Sequence, residues 1–572
     1  MSFEDQAPAE AYDLVVVGSG AAGMAAAITA RLHGLDVAVV EKEATYGGST
    51  AVSGGAIWIP DNPKMRAAGM ADSAEAALAY IAAAAGNRFD RALVETFLRH
   101  GPEMVAFFEA NTALQFDCRT YSPDYHPDVP GAALGGRVLD AQDYDGRRLG
   151  RHFARLRPPI KDFTILGGLM LNRIDIGHFL KMSRSLPSAL HAGRLVLRHL
   201  RDRLAHPRGT RLVLGQAVAG RLAETLFGLG IPLFLETGLT GFVREGGRIA
   251  GIETQGRHGR RTIMARVGVV LATGGFPHGV DLRDETMPQA ETPLRFHSLS
   301  PAGNTGDAIR IGRAAGARFV TSNSNPAFWT PVSLLPDGDG GRPFPHLFLD
   351  RAKPGVIAVT HAGRRFVNEA VSYHDFVQGM LAALADDGRT STWLVCDHRA
   401  LRRYGLGAVP PFPGRIGPYL SSGYLRRGRT VRELAEAAGI DADGLAATLA
   451  QFNTDAAQGQ DTAFGKGSTA YQTYLGDAEV APNPCLAPLS AAPFYAVEIF
   501  PGDIGTSAGL ATNADGQVLD EDGAPIAGLY ACGNDMNSIM GGAYPGAGIT
   551  LGPALTFGYI VARHAARVAG GP

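Results

Sequence analysis

At 572 residues, 45% hydrophobic and 19% charged, the chain can bury a large core, and its length calls for two or more domains. A net charge of −2 excludes the global field that draws proteins to nucleic acid or acidic ligands, so no nucleic-acid partner is expected. No uninterrupted apolar run reaches the ~18–20 residues that span a bilayer.

The first stretch, MSFEDQAPAEAYD, is acidic and lacks the apolar core of a signal peptide, which points to the cytoplasm. Asp13 to Val17 is a short apolar run suited to a buried parallel strand. Gly18-Ser19-Gly20-Ala21-Ala22-Gly23 follows at once, then an Ala-rich helical stretch from Met24 to His33 and a second strand, Val37 to Val40, ending in Glu41. Gly18 allows a tight turn, Gly20 lets a pyrophosphate approach the backbone, and Gly23 lets the helix pack close to the strand. The free N–H groups at the helix start face the phosphates, and Glu41 can accept from ribose hydroxyls. Strand, turn, helix, strand and acid in this order make a dinucleotide site.

Residues 41–60 form a loop with Gly47-Gly48 and Gly54-Gly55, in which Ser49, Thr50 and Ser53 can supply hydroxyls. Residues 73–114 are Ala-rich with helical spacing and read as surface helices; 115–150 read as a structured loop holding Tyr121, Tyr125 and His126. In 160–211 an apolar piece, ILGGLMLNRIDI, precedes a strongly basic helical stretch. Two readings stay open there: a solvated helix face, or a peripheral membrane contact. After Gln216 a helix leads into strands at 231–235 and 247–253, and Val267 to Leu271 is another apolar strand, ending in Ala272-Thr273-Gly274-Gly275-Phe276. Gly303-Asn304-Thr305-Gly306-Asp307-Ala308 starts a further helix. Residues 320–495 are richer in aromatics and prolines and read as an inserted second domain. A strand at 528–532 then reaches the turn Gly533-Asn534, and a Gly-rich stretch, 541–552, leads into a final helix at about 553–568. Cys118, Cys396, Cys485 and Cys532 lie far apart with no CxxC spacing, so reduced thiols are expected and no metal.

The motifs GSGAAG at 18–23, GGSTAVSGGAIWIP at 47–60, PDYHPD at 123–128, GNTGDA at 303–308, GRRFVNEAVSY at 363–373, GLYACGN at 528–534 and AYPGAGITLGPALTFG at 543–558 span nearly the whole chain. In them the chain resembles the fumarate reductase/succinate dehydrogenase-type flavoproteins, and more closely their 3-ketosteroid Δ1-dehydrogenase branch. The arginine and histidine with which fumarate reductases hold dicarboxylates in their C-terminal stretch are missing here; Tyr544 and glycines stand there instead.

The resemblance implies an α/β fold (α+β overall): a Rossmann-like, two-dinucleotide-binding FAD domain over 1–320 and 496–572, with an inserted α+β catalytic cap domain over 321–495. It implies FAD held non-covalently, since the 41–60 loop has no histidine for the histidyl-flavin bond of some relatives. The cofactor would meet Gly18, Gly20, Ala22, Gly23, Glu41 and Lys42 on the first turn, and Gly48, Ser49, Thr50, Ser53, Gly54 and Gly55 along the next loop. Ala272, Gly274, Gly306 and Asp307 would hold it on the returning half, and Gly533, Asn534, Gly548 and Leu551 at the tail. The dipole of the final helix would favour partial negative charge on the flavin.

The resemblance also implies roles. Tyr544 binds a substrate carbonyl through its hydroxyl, and Gly548 makes the second bond through its backbone N–H. Tyr373 removes the C2 proton, Tyr125 assists it, and a hydride leaves C1 for flavin N5. A neighbouring hydroxyl is expected to lower the tyrosine pKa from its usual ~10. His126 and His374 read as loop histidines, Arg364 and Arg365 as structural, and Glu369 as a brace for its loop. The substrate expected is a small-molecule ketone, a steroid first of all; the residues do not identify the electron acceptor. A dehydrogenase of another cyclic ketone, a Δ4-dehydrogenase of 5α-3-ketosteroids, a fumarate reductase-like enzyme and an idle flavin-binding protein are the competing readings.

Overall fold

Four parallel strands set the frame of the first sheet. Ala11–Val17 lies between Val37–Val40 and Gly259–Leu271, and Pro525–Ala531 pairs with the far end of Gly259–Leu271. Their Val, Ile and Leu side chains are buried on both faces, as an apolar run in a covered parallel sheet requires. Leu233–Phe234 extends this sheet beyond Val37–Val40, and Arg248–Gly256 and Thr237–Glu245 continue it in antiparallel fashion. The computed structural model describes residues 10–183, 185–257, 259–288, 294–337 and 341–570. Residues 1–9 of the acidic N-terminal stretch, and Arg184 of the basic segment, lie outside the described residues.

The register decides where a ligand can sit. Val17 is level with Val40 and with Leu271, and Leu271 is level with Ala531. All four strands therefore end at one edge, and the turns after them meet there. The helix Ala21–Leu32 leaves this edge and packs on the final helix, Leu551–Val568. Small residues allow the close approach: a Cβ on Gly558 would stand 2.6 Å from the Ala22 carbonyl oxygen.

The second sheet is built on one long strand, Phe494–Thr506. Ala327–Leu335 and Thr392–Cys396 pair with it in antiparallel fashion, as does Leu425–Gly428, while His297–Ser298 runs parallel to it. Side chains alternate between two cores, as the two-residue period of a strand demands. Val356, Ala358 and Leu394 pack with Phe376, Val377 and Met380 of the helix Tyr373–Asp387. Ile357, Val359 and Val395 pack with Leu434, Leu445, Leu449 and Phe452 on the other face. Each large side chain so buried contributes roughly 1.5–3 kcal/mol.

Segment 160–211 forms a small hairpin, Thr164–Ile165 with Leu169–Met170, and two helices, Arg173–Lys181 and Leu186–Asp202. The second helix turns Ala192, Leu195 and His199 inward and leaves Leu186, Leu190, Leu197 and Leu200 exposed. Among the described residues no helix is long and apolar enough to cross a membrane.

Candidate active site

The edge where the parallel strands end is a cradle of backbone. Gly18 has φ +109°, and a Cβ there would stand 2.2 Å from the Ala272 carbonyl oxygen. A Cβ on Gly23 would stand 2.0 Å from the Gly18 carbonyl oxygen. Both positions therefore exclude any side chain. Gly20 differs, since its nearest neighbour for such a Cβ is Thr50 Oγ1 at 3.7 Å, so its face is open. The Thr50 hydroxyl accepts from the Ala21 N–H at 2.9 Å, which leaves later N–H groups of the first helical turn for a ligand.

Glu41 accepts from the Ser19 N–H and hydroxyl, at 3.1 and 2.6 Å, and from the Glu43 N–H at 3.0 Å. A carboxylate has room for a further donor beside these three. Lys42 pairs with Asp307 at 2.6 Å and donates to Thr305 Oγ1. Asp307 opens its helix behind Gly306, at φ +86°. Ser49 Oγ accepts from Asn304, and Ser53 donates to the Thr50 carbonyl. Gly48 begins the short helix Gly48–Val52, beside Gly20. Gly55 packs on the Leu214 backbone, whereas a Cβ on Gly54 would meet nothing within 4 Å. A Cβ on Gly274 would stand 2.6 Å from Asn304 Nδ2, and one on Gly533 would stand 3.0 Å from Ala22 Cβ. Asn534 packs against Gly275 and Gly505, and Leu551 is the first residue of the final helix. Glycines on one strand-end edge, a helix start and a terminal acid fit a dinucleotide such as FAD.

Beside this cradle, three distant segments bring tyrosines together. Tyr373 begins its helix, whose N-cap is Ser372. Tyr125 sits on a loop tied to the tail: its N–H donates to the Pro545 carbonyl at 2.9 Å, and Tyr80 donates to the same oxygen at 2.6 Å. Asp124 fixes that loop by accepting from Trp58 Nε1 and Arg137. Tyr544 stands in the tail itself.

The Tyr125 hydroxyl donates to the Tyr373 hydroxyl at 3.2 Å. The Tyr544 ring lies 5.2 Å from that of Tyr373 and 5.6 Å from that of Tyr125, nearly parallel to the latter. All three side chains are buried. Gly548 has φ +96°, and a Cβ there would stand 2.6 Å from the Ala56 carbonyl oxygen, so only glycine lets the tail lie this close. Its carbonyl accepts from the Trp58 N–H at 3.1 Å, while its own N–H donates to no protein acceptor among the described residues.

Burial sets the electrostatics. It pushes the Tyr373 phenol well above its ordinary pKa, and the neighbouring Tyr125 and Tyr544 add to the rise. The expectation that a neighbouring hydroxyl lowers this phenol is thus corrected: desolvation outweighs a neutral neighbour. Burial likewise pushes Tyr544 up to about 12. His374 is not in a loop but in the helix after Tyr373, buried, with Nδ1 accepting from the Trp329 N–H at 3.1 Å. Burial, and secondarily the charge of His126, hold it down to about 3. His126 lies 3.6 Å from Asp375. Glu369 does brace its loop: it accepts from the Ala358 N–H and pairs with Arg365, which also pairs with Asp461. Burial alone would raise the Glu369 carboxyl, and Arg365 and Lys466 more than reverse this.

Two residues at the site escaped the sequence reading. Tyr471 lies with its ring 4.6 Å from that of Tyr125. Arg351 is buried behind the loop before Tyr373. Neither belongs to a motif or a local pattern.

The likeness to known proteins runs over nearly the whole chain. Residues 13–551 match the FAD binding domain family. The chain is 39% identical to the 4-oxocyclohex-2-ene-1-carboxylate 5-dehydrogenase of Sinomonas cyclohexanicum, over 98% of this chain and 94% of that protein. It is 35% identical to a 3-oxosteroid 1-dehydrogenase of Mycobacterium tuberculosis, over 98% of this chain and 99% of that one. The crystal structure of 3-ketosteroid Δ1-dehydrogenase from Sterolibacterium denitrificans with 1,4-androstadiene-3,17-dione superposes with a TM-score of 0.91 at 37% identity, covering 98% of this chain and 100% of the other. The chain belongs to the FAD binding domain family and, within it, to the family of the 3-ketosteroid Δ1-dehydrogenases.

Proposed function

We propose that the protein removes two hydrogens from neighbouring carbons beside the carbonyl of a 3-ketosteroid, forming the C1–C2 double bond. The observation that carries this is the meeting of the Tyr125, Tyr373 and Tyr544 rings, with the Gly548 N–H, four residues past Tyr544, donating to no protein acceptor among the described residues. The Tyr544 O–H and the Gly548 N–H hold the ketone oxygen and stabilise the enolate that develops, each worth perhaps ~3 kcal/mol in a dry site. Tyr373 takes the C2 proton, and Tyr125 orients it through their hydrogen bond. FAD, held non-covalently, supplies the acceptor for the hydride that leaves C1. Its cradle is the strand-end edge, with Gly18, Gly20, Ala22, Gly23, Glu41 and Lys42 at the first turn. Gly48, Ser49, Thr50, Ser53, Gly54 and Gly55 follow along the loop, with Ala272, Gly274, Gly306, Asp307, Gly533, Asn534 and Leu551 closing it. The second sheet and its helices, which start at His297–Ser298 and run through Phe494–Thr506, past both ends of the expected 321–495, cap the cradle.

Phe328 and Phe348 pack 5.5 Å from Tyr544 and Tyr373 respectively, and these uncharged rings suit a neutral polycyclic ketone. The 39% identical relative, named for a cyclic keto acid, supports a second reading, a smaller ring carrying a carboxylate. Dye reduction separates the two. With 4-androstene-3,17-dione the dye is reduced and the 1,4-diene forms, while 4-oxocyclohexanecarboxylate and succinate are inert. Turnover of the keto acid without the steroid would overturn the first reading.

The partner surface is 160–211, which carries ten Lys and Arg against three Asp, in a chain whose net charge is −2. Leu186, Leu190, Leu197, Leu200 and Leu204 stand out from it, the last 88% exposed. Apolar and cationic side chains on one surface fit the anionic face of a bilayer, met from the cytoplasm. Co-sedimentation with vesicles containing phosphatidylglycerol, lost at high salt and in Leu190→Asp/Leu197→Asp, is the expected result. Equal binding by neutral vesicles or by the variant would refute it.

A further inference from the structure

Among the described residues, several buried cations have carboxylate partners, whereas Arg351, like Lys353 and Arg208, has none. Arg137 pairs with Asp72 and Asp124, Arg365 with Glu369 and Asp461, and Lys466 lies 3.5 Å from Glu369. Arg351, only 2% exposed, spends its guanidinium on carbonyls: His346 at 2.8 Å, Leu347 at 3.0 Å, Glu369 at 2.9 Å and Val371 at 3.3 Å. Among the described residues no carboxylate comes within ion-pair distance of it. A dry, unpaired guanidinium costs several kcal/mol and needs a compensating role.

Its position suggests one. The carbonyls it holds belong to two loops that converge on Tyr373. Val371 lies just before the N-cap of that helix, and Phe348, from the other loop, packs 5.5 Å from the Tyr373 ring. The positive charge also acts on Tyr471 and Tyr125, and Tyr125 donates to Tyr373. The remaining charges nearby are compensated or neutral. Arg119, which reaches Tyr125, is held by Asp140; Asp350 is held by His346, Asp375 faces His126, and His374 is uncharged.

We propose that Arg351 is a positioning residue for the base: it staples the turn that presents Tyr373, and it keeps a buried positive charge behind Tyr125 and Tyr471 that stabilises the phenolate the reaction uses. This rests on Tyr373 being the base.

The test is a near-ultraviolet tyrosinate titration of the FAD-loaded enzyme, with Tyr373→Phe subtracted so that the transition of this tyrosine is isolated. Arg351→Met should raise the wild-type midpoint by about one pH unit or more. Arg351→Lys keeps the charge but loses the fork, so its midpoint stays near wild type while kcat falls about tenfold at unchanged KM. A merely structural arginine would leave the midpoint unmoved. An Arg351→Met enzyme with bound flavin and the wild-type midpoint overturns the inference and leaves the base standing. Superimposed wild-type and Tyr373→Phe curves overturn both. Should Arg351→Met fail to fold, an Arg351→Lys midpoint raised as far as predicted for methionine overturns it as well.

Discussion

The nucleotide edge and the tyrosine cluster are made by opposite means. The edge is backbone: glycines whose missing side chains let a turn, a helix and a ligand share one place, all within a few residues of a strand end. The cluster is side chain: Tyr125, Tyr373, Tyr471 and Tyr544 come from four segments and meet only after both sheets are assembled. Damage should therefore look different in the two. At the edge it costs folding and cofactor together, and in the cluster it costs chemistry alone.

Gly18→Ala is the harshest test of that contrast. It forces a left-handed φ on a residue with a Cβ, at about 1–3 kcal/mol, and drives that Cβ into the Ala272 carbonyl. Little or no bound flavin and a lowered Tm are expected; a variant with full flavin absorbance would break the comparison. Tyr373→Phe should cut kcat about 10²–10⁴-fold with the flavin spectrum and Tm intact. Tyr544→Phe removes one of two oxygen donors, so kcat/KM should fall about 10²–10³-fold, and a drop below tenfold would argue against the clamp.

The mildest effect sharpens the comparison through pH. His374 is held down to about 3 by burial, against about 6.5 when unfolded. Its contribution is complete above the unfolded value and is lost as pH falls through this window, because the unfolded chain takes up a proton that the native helix refuses. Stability should decline by about 1.4 kcal/mol per pH unit below that point from this group. His374→Asn, which can still accept from the Trp329 N–H, should show a flatter dependence of Tm on pH; an unchanged slope would remove His374 from the account.

The same contrast explains what could be read in the residues. The need for Gly18 and Gly23 is local, so spacing to a strand and a helix reveals it. Tyr125, Tyr373 and Tyr544 stand in motifs that a family resemblance makes visible, and the fold brings them within hydrogen-bond or ring contact. Tyr471 and Arg351 carry no such mark, since each is defined by partners more than a hundred residues away or by carbonyls that any residue could offer. His374 was misread for the same reason. Its neighbours Ser372 and Tyr373 suggest a loop, whereas Ser372 is the cap of a helix that buries the imidazole.

One half of the proposed oxygen clamp is a peptide amide at a position where the crowding of Ala56 admits no side chain. Ordinary mutagenesis cannot delete such a donor without also breaking the turn that carries it. Selection acting on side chains can weaken the Tyr544 arm but must leave the other arm intact for as long as the tail docks. A backbone ester in place of the 548 amide, made by chemical ligation, is the replacement that would silence it cleanly.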